Sequence, residues 1–375
     1  MNKQLSLRDF SLFIAIVAIW AFFAIISPSY LGARNLSMLS IEMSTTAVAA
    51  LGVLLIIVCG HIDLAIGSGI GLFGGMAAVL TTLYGWPAPA AMLVSLIAGI
   101  VVWTCMGAVI VSQRIPAFII TLGGLLVFKG VFWKVINTST VPVNLGGESN
   151  LYSVLTTYYL PSTYGYLLAV GVTMAIGWAT LKGRASRKRH HFEVEEPETA
   201  FYKFMMKTIG LFIAVTVLNM YRGVPLSGVI LGATAVGIYV LTQHMAFGRY
   251  LYAIGGNEDA AMVSGVPVHR TTIMAFSIAG GLVALTGFLQ TSYAGSSTTS
   301  VGDLMELDAI AACVIGGVSL KGGRGTVMGV MAGALIMASL LNGLTLISAP
   351  PEIKFITRGI VLALAVWMDV RLNRK

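Results

Sequence analysis

The chain has 375 residues, of which 57% are hydrophobic and only 10% are charged, and its mean hydropathy is +0.88. Soluble domains carry about 25% charged residues, so this composition excludes a soluble globular protein and indicates an integral membrane protein. The formal net charge of +8 is explained by basic residues that flank membrane spans, and nucleic-acid binding is not expected.

Apolar runs long enough to cross a bilayer recur along the whole chain, which predicts an all-α polytopic transmembrane helical bundle in a single domain, 1–375. In chain order the predicted apolar segments are 10–26, 45–59, 64–83, 88–111, 117–136, 164–181, 208–220, 226–244, 271–289, 307–320, 326–347 and 355–367. Segments 45–59 and 307–320 are short, so they could be half-helices or re-entrant segments. We predict about ten full crossings, with up to twelve segments.

The basic residues indicate which side of the membrane each end lies on, because Lys and Arg beside the spans are retained in the cytoplasm. With both termini cytoplasmic, seventeen of the 23 basic residues lie on the inner side: Lys3, Arg8, Arg114, Lys182, Arg184, Arg187, Lys188, Arg189, Lys203, Lys207, Arg249, Arg270, Lys321, Arg324, Arg371, Arg374 and Lys375. The polar start leads into an apolar run without a cleavage signature, so we expect a retained signal-anchor.

Two glycine series recur every four residues, a spacing that bares one helical face for close packing. They are Gly67, Gly71 and Gly75, and then Gly325, Gly329 and Gly333. Helix packing is the stronger interpretation, and a movable helix beside a substrate path is the alternative.

Several ionisable residues lie within or beside the apolar segments, where they are costly unless they face a cavity or a partner. Asp63 is predicted to cap the helix that follows it, which is compatible with lining a pathway. Asp303 and Glu306 could begin a helix, and Asp308 lies one turn further in. Lys129 and Lys134 could extend to the interface or contact substrate, and the first interpretation is favoured. The three cysteines are predicted to be packing residues.

Two polar stretches interrupt the apolar pattern. Residues 182–207 carry adjacent basic and acidic blocks and are predicted to form a cytoplasmic mid-chain loop. Residues 246–270 are predicted to form a cytoplasmic loop that contains one short amphipathic helix around Asn257. A helix of this kind must lie outside the hydrocarbon and offers a contact to a partner in water.

Catalytic motifs are absent from the sequence. The chain contains no GxxxxGK[ST] phosphate loop, no HExxH, no GxSxG and no metal-ligand spacing of Cys and His, and Gly316–Lys321 has the wrong order for a phosphate loop. We therefore predict a non-catalytic protein that holds no cofactor or metal of its own.

Four motifs in order resemble the membrane permease subunits of bacterial ABC importers for monosaccharides, the family of the ribose, galactose and xylose permeases. They are GHIDLAIGSGIGLFGG (60–75), IPAFIITLGGLLVFKG (115–130), FGRYLYAIGGNEDAAMVSGV (247–266) and ELDAIAACVIGGVSLKGGRGTVMGVMAGALI (306–336). The YRGVP run (221–225), the basic mid-chain loop and the AVWMD ending (365–369) are most similar to the xylose and multiple-sugar members. His61 and Ala65 depart from the family, which usually has Gly and Ser there.

The resemblance implies a multi-pass protein of the bacterial inner membrane that works with an ABC ATPase subunit, a periplasmic sugar-binding protein and a second permease copy. ATP and Mg would be bound by the ATPase. It also implies that a coupling helix docks on that subunit, through Gly255, Gly256, Asn257, Glu258, Asp259, Ala260, Ala261, Ser264 and Gly265. As translocation-pathway candidates we name Asp63, Ser68, Phe73, Asp308 and Asn342.

Two other classes of protein remain as alternatives. An ion-coupled secondary sugar transporter would use Asp63 or Asp308 to titrate or to bind a cation. A membrane-embedded transferase would need a water-facing reactive cluster, which the sequence does not show.

Overall fold

The computed structural model describes residues 7–144, 146–194 and 196–372. The predictions for Lys3, Arg374 and Lys375 lie outside these residues, as does Glu195 of the mid-chain loop. Within the described part, the chain is predominantly helical. The helices are α1 Leu7–Ile26, α2 Ala33–Val58, α3 Ile66–Thr82, α4 Ala88–Gln113, α5 Ala117–Val135, α6 Leu151–Thr157, α7 Ser162–Arg189, α8 Pro197–Asn219, α9 Leu226–Gln243, α10 Ala246–Gly256, α11 Glu258–Val263, α12 Val268–Ala294, α13 Met305–Ile315, α14 Val327–Leu346 and α15 Pro351–Leu372.

Each of the twelve predicted apolar segments falls on one of these helices. Eight of the helices within the described residues are long and apolar enough to cross a membrane, and 12–26 and 66–82 are shorter apolar helices. This confirms a helical membrane protein. The interpretation of 45–59 as a half-helix was wrong, because α2 begins at Ala33 and its 26 residues span about 39 Å. The polar residues in the first turns of α2 interrupt the apolar pattern, so the sequence did not predict that the helix begins at Ala33.

Helix α2 lies at the centre of the bundle and is buried along most of its length. It packs against α9, α12, α13 and α14, while α12 also packs against α3 and α4. By contrast, α7 and α8 pack mainly against each other and leave most of their surface exposed. The fold is therefore a compact helical centre around α2 with an attached α7–α8 hairpin.

Two small antiparallel sheets join loops at one end of the bundle, which we call the sheet end. Strand β1 (Val141–Pro142) pairs with β4 (Ser296–Ser297), and β2 (Tyr159–Leu160) pairs with β3 (Val224–Pro225). Because α5 and α12 finish at the first sheet and α7 and α9 start from the second, their other ends lie together at the opposite end of the bundle. We call this the α11 end.

The structure also refines the boundaries of the two polar stretches. In the mid-chain segment, α7 continues to Arg189 and α8 resumes at Pro197, so the turn itself is short. In the second stretch, two helices meet at Asn257 where the sequence predicted a single short helix: Gly255 and Gly256 end α10, and α11 follows.

Candidate coupling surface and interior polar residues

Helix α11 begins at a well-formed N-terminal cap. Asn257 has extended backbone angles, and its side-chain oxygen accepts a hydrogen bond of 2.9 Å from the backbone N–H of Ala260. Glu258 and Asp259 occupy the first turn, where their charges interact favourably with the partial positive charge of the helix N-terminus. Ser264 then closes the helix, and Gly265 follows with a φ of +80°. The cap explains why six residues form a helix here.

Nearly the whole of α11 is exposed. Ala261 is its only buried residue, whereas Val263 is 91% exposed and Met262 is 48% exposed. Met262 and Val263 lie in the polar segment between α9 and α12, outside the helices that are long enough to cross a membrane. An exposed apolar pair flanked by polar groups is typical of a contact site for another protein. The sequence analysis did not single out Met262 and Val263, although their apolar character beside Asn257 was a visible signal.

Below α11, glycines from three segments form a close backbone contact that we call the glycine joint, consisting of Gly60, Gly255, Gly322 and Gly323. The backbone N–H of Gly323 donates to the carbonyl of Val58 at the end of α2, over 2.9 Å. Gly60, Gly322 and Gly323 have positive φ angles of 88°, 87° and 70°, which favour glycine. A methyl group on Gly255 would overlap the Val58 carbonyl. The joint connects the base of α11 directly to the central helix.

Asp63 lies between α2 and α3 and is buried with both carboxylate oxygens hydrogen-bonded. One oxygen accepts from the indole N–H of Trp103 at 2.7 Å and the other from the backbone N–H of Ala65 at 2.8 Å. The prediction that Asp63 caps α3 was wrong, because Ala65 occupies the N-cap position. Trp103 satisfies the carboxylate, and the His61 ring lies near that of Phe276, with centroids 6.1 Å apart.

The other predicted pathway residues are also in the interior. Ser68 donates to the carbonyl of Ala65 at 2.9 Å, and Phe73 packs edge-on against Trp103 with ring centroids 5.9 Å apart. Asn342 on α14 accepts a hydrogen bond of 2.9 Å from Asn35 on α2.

Asp308 on α13 forms an ion pair with Arg358 on α15. Asp308 Oδ1 and Arg358 Nε lie 2.9 Å apart, and the alignment is not that of a hydrogen bond. The pair links the short helix α13 to α15. The sequence analysis missed Arg358 and Trp103, because neither position has a local signal that identifies its distant partner.

The five predicted pathway residues do not come together. Asp63, Ser68 and Phe73 lie around Trp103, whereas Asp308 and Asn342 belong to separate contacts of α13 and α14. None of the five is more than 9% exposed. Within one copy of the chain they form packed interior contacts, and their role as pathway residues stays a prediction.

The first glycine series packs against a helix and against non-helical backbone. Gly71 and Gly75 of α3 lie close to the Phe132 ring of α5. Gly75, Gly71 and Gly67 of α3 face Ser297, Val301 and Gly302 in turn, all from the connection between α12 and α13. In the second series, Gly329 and Gly333 of α14 face Gly316 and Ala312 of α13, but Gly325 precedes α14. Gly325 is therefore not part of a helical stripe. The α3 series accommodates both helix α5 and the non-helical backbone of this connection.

The cysteines only partly match their predicted role. Cys59 and Cys313 are buried, but Cys105 on α4 is exposed, so it is not a core residue of one subunit. In the described part of the chain, no cluster of three or more His, Cys, Asp or Glu side chains could hold a metal ion.

The helical bundle, the buried polar contacts and the exposed end helix define the class: a multi-pass helical membrane protein with an exposed polar helix at one end. The chain belongs to the family described as "Branched-chain amino acid transport system / permease component", whose model matches residues 35–366. No solved structure matches the chain.

Curated relatives match along almost their whole length. The "Xylose transport system permease protein XylH" of Escherichia coli (strain K12) is 38% identical over 375 residues, which is 100% of this chain and 94% of the relative. The protein of the same name from Haemophilus influenzae is 37% identical, covering 100% of this chain and 99% of the relative. The "Ribose import permease protein RbsC" of Escherichia coli (strain K12) is 29% identical, covering 95% and 92%. These relatives do not favour an ion-coupled carrier.

Proposed function

We propose that this chain is the membrane permease subunit of an ATP-driven ABC importer that translocates a monosaccharide, xylose or a related sugar, delivered by a periplasmic binding protein. The observation that carries the proposal is the exposed helix α11, which presents Met262 and Val263 outside the apolar segments and lies on the glycine joint. The names of the relatives, a xylose and a ribose permease, support the substrate class.

The arrangement of basic residues supports an inner-membrane location with both termini cytoplasmic. The basic last turn of α7 (Arg187, Lys188 and Arg189) and α11 lie at the same end of the bundle, away from the sheets. By the positive-inside rule this end is cytoplasmic. About ten crossings, with α13 as a half-length element of 11 residues, would follow from this orientation.

In this proposal the chain itself catalyses nothing. ATP and Mg would be held by a separate ATPase subunit that docks on residues 255–265, and the permease would act with a second copy of itself. Nucleotide-driven movement of α11 would reach α2 through the glycine joint, because Gly255 and Gly323 both contact Val58 at the end of α2.

The test is sugar uptake in proteoliposomes that contain the permease, its ATPase and its binding protein. We expect Glu258→Arg, Gly265→Trp and Val263→Asp to abolish ATP-driven uptake of D-xylose while membrane insertion stays normal, because each alters the exposed surface of α11 or its end. Glu198→Arg, an exposed charge reversal in the first turn of α8, is the matched control and should transport normally.

Undiminished uptake in all three α11 variants would contradict the coupling role. Wild-type uptake that proceeds without the ATPase and collapses with an ion gradient would instead establish the secondary carrier.

A further inference from the structure

The connection between α12 and α13 carries non-helical backbone deep into the bundle. Ser297, Val301 and Gly302 lie against Gly75, Gly71 and Gly67 of α3. Since Gly75 and Gly67 are eight residues apart, the connection follows α3 for about 12 Å. Gly67 is the second residue of α3, so the connection reaches almost to the far end of that helix. Helix α13 is short because the chain has already entered the bundle before it begins.

The opposite side of this connection is polar and open. Ser300 and Asp303 are exposed, and Asp303 pairs with Lys129 of α5, Oδ1 to Nζ, at 2.6 Å. The indole N–H of Trp133 donates to the carbonyl of Thr299 at 3.2 Å, and Lys129 Nζ lies 5.6 Å from the Trp133 ring centroid. We call Lys129, Trp133, Ser300 and Asp303 the polar wall.

The charged pair of the polar wall lies away from both ends of α5. Lys129 is six residues before the end of α5 and twelve after its beginning, which places it about 9 Å from one end and 18 Å from the other. The side chains of Lys129 and Asp303 are 34% and 43% exposed. Exposed non-helical backbone and charges at such a depth are tolerated only where they line water or another protein. Hydrocarbon cannot therefore cover this surface.

We infer that the polar wall lines the water-filled sugar route, and that a second copy of this chain closes the route from the other side. This inference rests on the proposed function and assigns the sugar contact to residues other than the five buried candidates. The exposed indole of Trp133 offers a face for a sugar ring, and the charged pair and the Ser300 hydroxyl offer hydrogen bonds to its hydroxyl groups. One chain supplies only one wall, because no other element among the described residues covers the exposed face of α5.

The first experiment measures access of water to the wall. Cys59, Cys105 and Cys313 are replaced by alanine, uptake is checked, and Ser300→Cys or Trp133→Cys is introduced. Met174→Cys on α7, at a position that is 64% exposed and in mid-helix, is the control. A charged maleimide applied from the sheet end should label Ser300→Cys and Trp133→Cys but not Met174→Cys. Adding D-xylose with the binding protein, the ATPase and ATP should slow the labelling.

The inference would be overturned, and the proposed function left intact, if Ser300→Cys and Trp133→Cys react no faster than Met174→Cys in a chain that still transports. Labelling that is fast but insensitive to D-xylose would overturn the sugar contact. Absence of ATP-driven uptake by the wild-type chain would overturn the proposed function instead.

A second experiment tests Trp133 directly. Trp133→Ala should lower the maximal rate of D-xylose uptake about three- to ten-fold, the value of one aromatic stacking contact, whereas Trp133→Phe should retain most of it. Trp178→Ala on α7 is the matched control, because its exposed indole also lies beside a lysine, Lys182 Nζ at 4.7 Å. Equal rates for Trp133→Ala and Trp178→Ala would overturn the role of the ring.

Discussion

At the scale of single residues, the polar groups of this chain are divided between two environments. Asp63 and Asp308 are buried and have partners, the first the Trp103 indole and a backbone N–H, the second Arg358. Lys129 and Asp303 are paired with each other but remain exposed on a membrane-depth surface. Sequence alone identifies all of these as ionisable residues that cost free energy within a membrane. It does not tell the buried, paired residues from those that remain exposed.

The Trp103–Asp63 contact predicts a measurable loss of stability. Trp103→Phe keeps an aromatic ring but removes the N–H donor, which leaves a buried carboxylate oxygen unpaired at a cost of about 1–3 kcal/mol or more. We expect a lower thermal unfolding temperature in detergent. Trp178→Phe, at an exposed position, should have no such effect.

A double-mutant cycle separates this loss from the smaller ring volume. Asp63→Asn in the Trp103→Phe background should recover part of the stability, because a neutral amide costs less to leave unpaired than a carboxylate. Purely additive losses would show that the hydrogen bond contributes nothing.

At the scale of elements, the glycines of α3 show that a spacing can predict a closely packed helix face without identifying everything that packs against it. A repeat of four residues does bare one face of α3, as predicted. This face is covered by the Phe132 ring of α5 and by the non-helical connection from Ser297 to Gly302. Close approach of backbone requires glycine in both cases, so the sequence pattern is the same for the two partners.

This packing gives a sharp prediction for α3. A methyl group at Gly71 would lie 2.5 Å from the carbonyl oxygen of Val301 and 2.8 Å from the Phe132 ring. Gly71→Ala should therefore lower both thermal stability and sugar uptake. Gly130→Ala on α5 is the control, because nothing lies within 4 Å of the added methyl group, and it should be at least as stable as the wild type, since alanine favours helix. Similar stabilities for the two variants would contradict the packing role.

At the scale of the whole molecule, the glycine joint connects the exposed end helix to the buried centre. Gly255→Ala should destabilise the isolated chain, because the methyl group would overlap the Val58 carbonyl, whereas Gly256→Ala adds a methyl group into open space. Thermal unfolding of both variants in detergent, without partner subunits, checks this. If Gly255→Ala unfolds at the wild-type temperature, the joint is loose and cannot transmit movement to α2.

The sequence predicted the architecture because hydrocarbon thickness imposes it: each of the twelve apolar segments overlaps one helix, although 307–320 extends beyond α13 and 45–59 covers only part of α2. It placed the polar helix near Asn257, since the Asn-Glu-Asp cap is local. It missed the first part of α2, where polar residues such as Glu42 interrupt the apolar pattern and find distant partners, here the hydroxyl of Tyr293. It also missed Arg358, Trp103 and Trp133, and it named Lys129 and Asp303 without predicting that they pair. These contacts depend on which helices become neighbours, and periodicity carries no such information.

The single exposed thiol, Cys105 on α4, gives the native chain a built-in reporter. Cys59 and Cys313 are buried, and buried thiols are inert, so a lipid-permeable spin label would attach once per polypeptide without any mutation. A pair of subunits would then yield one dipolar distance, and its change between nucleotide states would record how far the two halves separate during a transport cycle.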